Sequence, residues 1–433
     1  MKSLKRGSRL ITLMISVFII GMIVLIAKIQ MEASFYISNS GSRNLGYIYD
    51  RNGDIIFDDN AENGQYPDGY FKDLGNLIGD ASGQMTNTLV AKNIEKLSNY
   101  SFTSGITYKG GKAAIYSTLS HEANEKVYSA FGDKDGCAIA YNYKTGEILV
   151  CVSRPSVDPL KGYEDLAEGS LLCKAFYKTV PGSTQKIATL ISAVETMGMD
   201  ALMEKSFTCN GVYTNNTGLD IVCHNEYGHG TQNIREAFAN SCNPFFAQLV
   251  EDSGWSLANI EDCYKKLGYS VNGSEETEFS INGIISAKAS TTLEDKNEFN
   301  TQWSCIGQGT SLVSPCQLMM WQSAIANESG KSTMPYLIDH VTNVNGRTVE
   351  NASTNYSEQL FSSQTASEVK DIMLENGLNY TGKIPGYTLG IKSGTAQVKD
   401  GKEENSLLTG FVDDKDFPIA FAILIENRES YDV

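Results

Sequence analysis

Hydrophobic patterning divides the chain before any single residue stands out. Leu10 to Ile29 is its only long apolar run, LITLMISVFIIGMIVLIAKI, with one charge, Lys28, near the far end. About 20 apolar residues suffice for a helix to span a bilayer. Lys2, Lys5, Arg6 and Arg9 precede the run, and basic flanks stay on the cytoplasmic side. The pattern predicts a cytoplasmic tail over 1–9, a transmembrane anchor over 10–29 and an extracytoplasmic remainder. A cleaved signal peptide is the alternative. Its apolar region is usually shorter, about 7–15 residues, and ends at small residues, whereas Gln30-Met31-Glu32 follows here. The anchor reading is favoured.

Beyond the anchor, 31–110 is of mixed polarity and reads as a small N-terminal domain. Two β-type runs, Tyr47-Ile48-Tyr49 and Ile55-Ile56-Phe57, flank Arg51-Asn52-Gly53. Asn-Gly accepts the positive φ of a tight turn, so a hairpin is expected. Gly105 to Gly111 reads as a loop and a domain boundary, leaving 111–433 as the main domain. Within it, the runs 138–143 and 147–152 are strand-like around the turn Lys144-Thr145-Gly146. Helix-length segments follow Pro155 up to about residue 330, and strand-like runs return at 388–397, 407–413 and 417–425. Strands first, helices between and strands last is an α+β order. It predicts one antiparallel sheet, built from both ends of the domain and sandwiched by helices.

Charge and cysteine content narrow the function classes. The formal charge is −16, and five basic residues lie before residue 32; beyond them 30 basic residues face all 51 acidic ones, a net of −21. No basic stripe is left to displace counterions from nucleic acid, which excludes that partner. An acidic body suits the outside of an anionic membrane surface. The nine cysteines include no C-x-x-C spacing, so no zinc signature is present and no metal or cofactor is expected; His224 and His229, near Cys223, read as loop residues. Cys209 and Cys223 flank one loop and are the one pair nominated for a disulfide. The alternative is nine free thiols.

Three short strings carry candidate chemistry. In Val180-Pro181-Gly182-Ser183-Thr184-Gln185-Lys186 a Pro-Gly turn leads into a helical stripe of Ile187, Leu190, Ile191, Val194 and Met197. Ser183 then sits at the first turn of a buried helix, near unpaired N–H groups and the positive dipole end. Lys186, three residues on, shares its face. A serine hydroxyl needs a base to become a nucleophile, and a desolvated lysine can serve. The same spacing recurs at Ser367 and Lys370, but without Pro-Gly before it, and reads as a helix start. The second string is Ser241-Cys242-Asn243, a polar tripeptide between two helical runs, able to project a hydroxyl and an amide into a cleft. Taken alone it also fits a helix N-cap. The third is Lys392-Ser393-Gly394-Thr395 on a strand, where the glycine permits close backbone approach, the cation and hydroxyls could hold a carboxylate, and a strand N–H could stabilise an oxyanion. Lys144-Thr145-Gly146 imitates it but precedes the serine and lies in a turn.

These three strings, in this order, resemble the penicillin-binding protein and serine β-lactamase superfamily. Tyr49-Asp50-Arg51-Asn52-Gly53, Lys144-Thr145-Gly146-Glu147 with Ser153-Arg154-Pro155, His229-Gly230, Gly307-Gln308-Gly309 and Ser314-Pro315-Cys316-Gln317 sharpen the resemblance to class B penicillin-binding proteins, over about 47–427. It implies the serine β-lactamase/transpeptidase-like fold. It also implies a peptidoglycan D,D-transpeptidase that joins stem peptides ending in D-Ala-D-Ala through a serine acyl-enzyme, releasing D-Ala. Residue by residue, Ser183 would be acylated and Lys186 would be its base. Ser241 and Lys392 would relay protons, Asn243 would bind the substrate peptide, and Ser393, Gly394 and Thr395 would line its terminal-carboxylate site, with N–H groups of Ser183 and Thr395 as the oxyanion hole. The implied partners are peptidoglycan stem peptides or their lipid-linked precursor, β-lactams and a membrane glycan polymerase. Ser393 stands where relatives more often carry Thr. The segment after the anchor is too short for a large pedestal domain, and the last strand ends near Val433, where relatives continue into a helix. A D,D-carboxypeptidase or β-lactamase, or a catalytically silent cell-wall scaffold, remains as the alternative.

Overall fold

The structure, a computed structural model, describes residues 2–31, 45–59, 72–98, 100–101, 105–106, 111–399 and 401–429. Lys2–Met31 is a single helix. Its stretch Ile11–Ile29 has a mean hydropathy of 2.5 and buries nothing against the rest of the protein. It is, among the described residues, the one helix long and apolar enough to cross a bilayer, and it fits a membrane anchor.

The larger sheet is the one foreseen from the two ends of the main domain. Its five antiparallel strands run in the order Leu389–Val398, Glu403–Val412, Ile419–Glu429, Asp135–Asn142, Ile148–Arg154. The last strand pairs with the first, Ile419 opposite Asn142 and Glu426 opposite Asp135. Helices flank this sheet. Pro315–Ala326 is apolar nearly all round and every one of its residues is buried, as a helix without a polar face must be. It packs on the central strands, with Ser363–Gly377 beside it and against Leu389–Val398. His121–Ala130 packs on Ile148–Arg154.

A second five-stranded sheet is mixed: Thr348–Asn351, Ile338–Thr342, Ala114–Ser117, Tyr47–Tyr49, Ile55–Asp58. The hairpin expected around Arg51-Asn52-Gly53 forms, with Ile48 opposite Phe57. Asp50, itself buried, ties its turn by accepting from the N–H groups of Asn52 and Asp54 at 2.7 and 3.0 Å. Tyr47–Tyr49 runs parallel to Ala114–Ser117, whose other edge pairs with Ile338–Thr342. The sheet thus joins residues from both sides of the position, near 110, where the sequence suggested a boundary.

The middle of the chain differs from the expectation of helix-length segments alone. It also holds short hairpin strands, among them Phe207–Cys209, Val212–Thr214, Asp220–Val222 and Gly230–Gln232. Three residues are too few to write a period-2 pattern. These strands are defined by pairing with each other, not by their own composition.

Candidate active site

The Ser183 string folds close to the expectation, with Ser183 in a turn just ahead of the helix rather than in its first turn. Gly182–Gln185 is a 3-10 turn that runs into the helix Lys186–Met197. Ile187, Leu190, Ile191 and Val194 are buried and hold this helix in the core. Behind it the Tyr264 and Thr189 hydroxyls lie 2.9 Å apart, and Thr189 Oγ1 donates to the Cys305 carbonyl at 2.6 Å. Gly182 is required at its place: its φ is +53°, and a Cβ there would stand 2.5 Å from the Thr395 carbonyl. The Gly182–Gln185 turn therefore lies directly against the strand Leu389–Val398. Gly394 makes the same close approach from the other side, since a Cβ on it would lie 3.0 Å from the Ser183 nitrogen and 2.9 Å from that of Thr184.

The second string is a tight turn between two helices. Ile234–Ala239 begins with a capping box of Asn233 and Glu236, and Asn243–Glu251 follows with Pro244 in its first turn. Both features fix helix starts. Between them Ser241 is held at φ +51°, and Cys242 N–H donates to the Ala237 carbonyl at 3.0 Å. A non-glycine residue with positive φ costs free energy and persists only where its surroundings enforce it. Here the turn points Ser241 and Asn243 at Lys186, beside Ser183.

Three residues from two distant strings, Ser183, Ser241 and Asn243, meet around the amine of Lys186. Lys186 Nζ lies 2.7 Å from Ser183 Oγ, 2.8 Å from the Ser241 carbonyl, 2.7 Å from Asn243 Oδ1 and 3.3 Å from Ser241 Oγ. A carbonyl and an amide oxygen can only accept. A neutral amine would give them its two N–H groups and keep its lone pair for the Ser183 hydroxyl proton, where a charged one donates to Ser183 Oγ as well. Lys392 Nζ donates to Ser241 Oγ at 2.9 Å and to the Ser393 carbonyl at 2.7 Å. Ser241 Oγ is thus bracketed by the two lysines.

Both amino groups are out of water; Lys186 is 0% exposed and Lys392 1%. Burial holds the Lys186 pKa well below the usual lysine range, and the nearby Lys392 charge lowers it further. Burial alone brings Lys392 down to about 7. Two titratable groups depressed by burial beside a serine are the electrostatic setting of a general base and a proton relay.

The third string completes a cleft of about 660 Å³ lined by Ser183, Ser241, Asn243, Ser393, Gly394 and Thr395, so every predicted site residue except the two buried lysines lies on its wall. The lysines sit behind it. Trp303, Phe299 and Gln308 add an apolar and amide wall that the reading of the residues did not single out, and Val222, Cys223 and His224 close the end next to Asn243. Only the neighbouring Gly307-Gln308-Gly309 string hinted at the first group. Tyr380, also unanticipated, donates its hydroxyl to Ser393 Oγ at 3.1 Å. The two imitations lie elsewhere: Lys370 pairs with Glu328 and Asp413 on the helix Ser363–Gly377, at 2.6 and 3.0 Å, and Lys144-Thr145-Gly146 turns between the strands Asp135–Asn142 and Ile148–Arg154. Cys209 and Cys223 form no disulfide; all nine cysteines are free thiols.

Comparison with known proteins bears on this arrangement. The penicillin binding protein transpeptidase domain, as a family, matches residues 136–433. The chain is 32% identical over 288 residues to stage V sporulation protein D of Bacillus subtilis, covering 64% of this chain and 42% of that protein. It is 25% identical over 352 residues to the peptidoglycan D,D-transpeptidase PbpA of Mycolicibacterium smegmatis, covering 75% and 69%. The chain therefore spans less than half the length of the Bacillus relative. Among solved structures, penicillin-binding protein A of Mycobacterium tuberculosis superposes with a TM-score of 0.76 at 20% identity, covering 89% of this chain and 94% of that one. The D,D-transpeptidase domain of an Eggerthella lenta peptidoglycan glycosyltransferase gives 0.73 at 22% identity, covering 89% and 94%. At these identities the structural likeness speaks for the fold.

Proposed function

The chain belongs to the penicillin-binding protein transpeptidase family, with the features of its class B members, and from that premise we propose that it is a serine D,D-transpeptidase of peptidoglycan, anchored by its N-terminal helix with the catalytic body outside the membrane. The observation that carries the reading is Lys186 Nζ at 2.7 Å from Ser183 Oγ with its other contacts satisfied by acceptors. Neutral Lys186 takes the Ser183 proton as Oγ attacks the penultimate D-Ala carbonyl of a stem peptide. The oxyanion forms toward the N–H groups of Ser183 and Thr395, and Asn243 bonds the donor peptide. The proton then returns through Ser241 and Lys392 to the departing nitrogen, and D-Ala leaves. An amine of a second stem attacks the acyl-enzyme, gives its proton back along the same path and frees Ser183. Ser393 and Thr395 would hold the terminal carboxylate of the donor, with Tyr380 fixing the Ser393 hydroxyl.

A β-lactam presents the same reacting carbonyl without a leaving group that can depart, so it would acylate Ser183 and stay. One solved relative, penicillin-binding protein A of Mycobacterium tuberculosis, is described as a ceftriaxone acyl-enzyme complex, which supports this part of the reading. The basic residues ahead of the anchor support a cytoplasmic N-terminus, and a membrane glycan polymerase is the partner that would supply uncross-linked strands. Hydrolysis is the rival fate of the acyl-enzyme. The glutamates at 275, 276 and 278 do not line the cleft, whose acids are Asp220 and Glu404; Glu276 instead pairs with Lys178 at 3.0 Å. The test is the full chain in detergent with a D-Ala-D-Ala donor and an amine acceptor. Free D-Ala with an amide-linked product is expected. Shortened donor alone would make it a carboxypeptidase.

A further inference from the structure

One cluster lies outside the acyl-transfer machinery and touches it. The Sγ atoms of Cys209, Cys223 and Cys242 and a ring nitrogen of His229 all lie within 4.8 Å of one another. The three cysteines are 1%, 4% and 0% exposed, and Cys223 Sγ stands 3.5 Å from His229 Nδ1. With metal–sulfur and metal–nitrogen distances of about 2.3 and 2.0–2.1 Å, a tetrahedral zinc site puts sulfur and nitrogen about 3.5–3.6 Å apart. We propose that Cys209, Cys223, His229 and Cys242 bind a Zn²⁺ ion that holds the Ser241-Cys242-Asn243 turn in place; its effect on acylation, though not the ion itself, rests on the reading of Ser241 and Asn243 given above.

Three thiolates and an imidazole form a closed, soft ligand set of the kind zinc prefers in structural sites. Binding exchanges the three thiol protons for the ion and leaves His229 neutral. The ligands come from four places in the fold. Cys209 ends the strand Phe207–Cys209, Cys223 follows Asp220–Val222, His229 precedes Gly230–Gln232, and Cys242 sits in the turn between two helices. His229 N–H donates to the Cys209 carbonyl at 3.0 Å and Cys223 N–H to the Gly211 carbonyl at 2.8 Å, so the backbone already presents the side chains. Gln232 supplies a second, independent sign: its Nε2 is buried without an acceptor, and its side chain neighbours Cys242. An amide N–H is the group that stabilises a metal-bound thiolate.

The region also needs a staple. Its strands are three residues long, and Leu219, Val222 and Tyr227 are 51%, 58% and 86% exposed, so little apolar burial holds it. Yet it forms one wall of the cleft, and Asn243 Nδ2 donates to the Val222 carbonyl at 3.0 Å. Cys242 lies between Ser241 and Asn243, both of which touch Lys186. An ion bonded to Cys242 and Cys223 would fix that turn from behind and from the side at once. In an extracytoplasmic setting it would also protect clustered thiols from pairing with each other.

The experiment measures zinc in the full chain, purified in detergent without chelator. One zinc per chain is expected. Cobalt(II) exchanged for it should show the visible bands of a tetrahedral site and a thiolate-to-cobalt charge transfer. Cys209→Ser and His229→Ala should each lose most of the metal and slow acylation by labelled penicillin about tenfold or more. Ser183→Ala should keep the zinc while losing the acyl adduct, which separates failure of this inference from failure of the functional reading. If the variants do not fold, zinc content and the cobalt spectrum of the unsubstituted chain decide. A chain without zinc that still acylates at full rate overturns the proposal, as does one with two fewer titratable thiols than its nine.

Discussion

At the scale of single residues, the site is a problem of burying charge. Lys186 and Lys392 sit in the core beside one serine hydroxyl, where ammonium groups are costly. The cost is useful only if it makes one of them a base. For Lys392 the pKa falls from 10.5 to about 7 through burial. Between those values the unfolded chain holds a proton that the folded chain has released, so stability rises with pH across that window and is flat below it. Relative to Lys392→Met, the unsubstituted chain should gain stability by up to about 1.4 kcal/mol per pH unit from about pH 7 to pH 10, measured by denaturant unfolding. The same variant should slow acylation about 10²–10⁴-fold, as loss of a proton relay does, while its neutral side chain raises Tm at pH 6. Ser183 and Lys186 were legible because three residues along a helix fix their relation. Asn243 and Lys392 were legible only through resemblance, since nothing in S-x-N or in a polar strand states what it will face. The cysteine and histidine cluster was passed over, with His229 read as a loop residue and Cys209 and Cys223 nominated for a disulfide, because its spacings follow from the pairing of three-residue strands.

Among the elements, the contact that matters most for the proposed chemistry is the Gly182–Gln185 turn against the strand Leu389–Val398. Gly394 lets that strand approach within van der Waals reach of the Ser183 and Thr184 nitrogens. A methyl group there meets backbone, which cannot rotate away, so Gly394→Ala must push turn and strand apart. A displacement near 1 Å at a reacting group costs about 10²-fold. We expect Gly394→Ala to lower the second-order rate of penicillin acylation by about 10–100-fold while Tm moves by only a few degrees. Stopped-flow acylation and thermal unfolding on the same sample check both halves. The long strands and buried helices of the domain were readable from period and length. The terminal strands were read as strand-like runs and the middle as helix-length segments, but Pro315–Ala326 was not singled out as a fully buried helix. The strands Ile338–Thr342 and Thr348–Asn351 were not read from the sequence; in the second every residue is exposed and only Val349 is apolar.

For the whole molecule, the mixed sheet is what ties the N-terminal segment to the catalytic body. Leu45, Ile48, Ile56, Phe57, Leu74 and Leu77 belong to the same apolar core as Ile115, Leu119 and the nucleophile helix, and Ser117 Oγ donates to the Tyr49 carbonyl at 2.8 Å. We propose that the segment 31–110 is an integral support rather than a detachable module. A chain beginning at residue 32 should be soluble without detergent and acylate at the full rate. One beginning at residue 111 uncovers the edge of Ala114–Ser117 and much of that core, and should aggregate or melt at least about 10 °C lower, as loss of several buried aliphatic side chains implies.

The proposed chemistry requires Ser183 to be the group that accepts an acyl chain. It is tested most directly by treating the full chain with benzylpenicillin, measuring its intact mass and mapping the adduct by peptide mass spectrometry. One penicilloyl group per chain is predicted, on the peptide that carries Ser183 and absent from Ser183→Ala. An adduct on another residue, or one that survives that substitution, would contradict it.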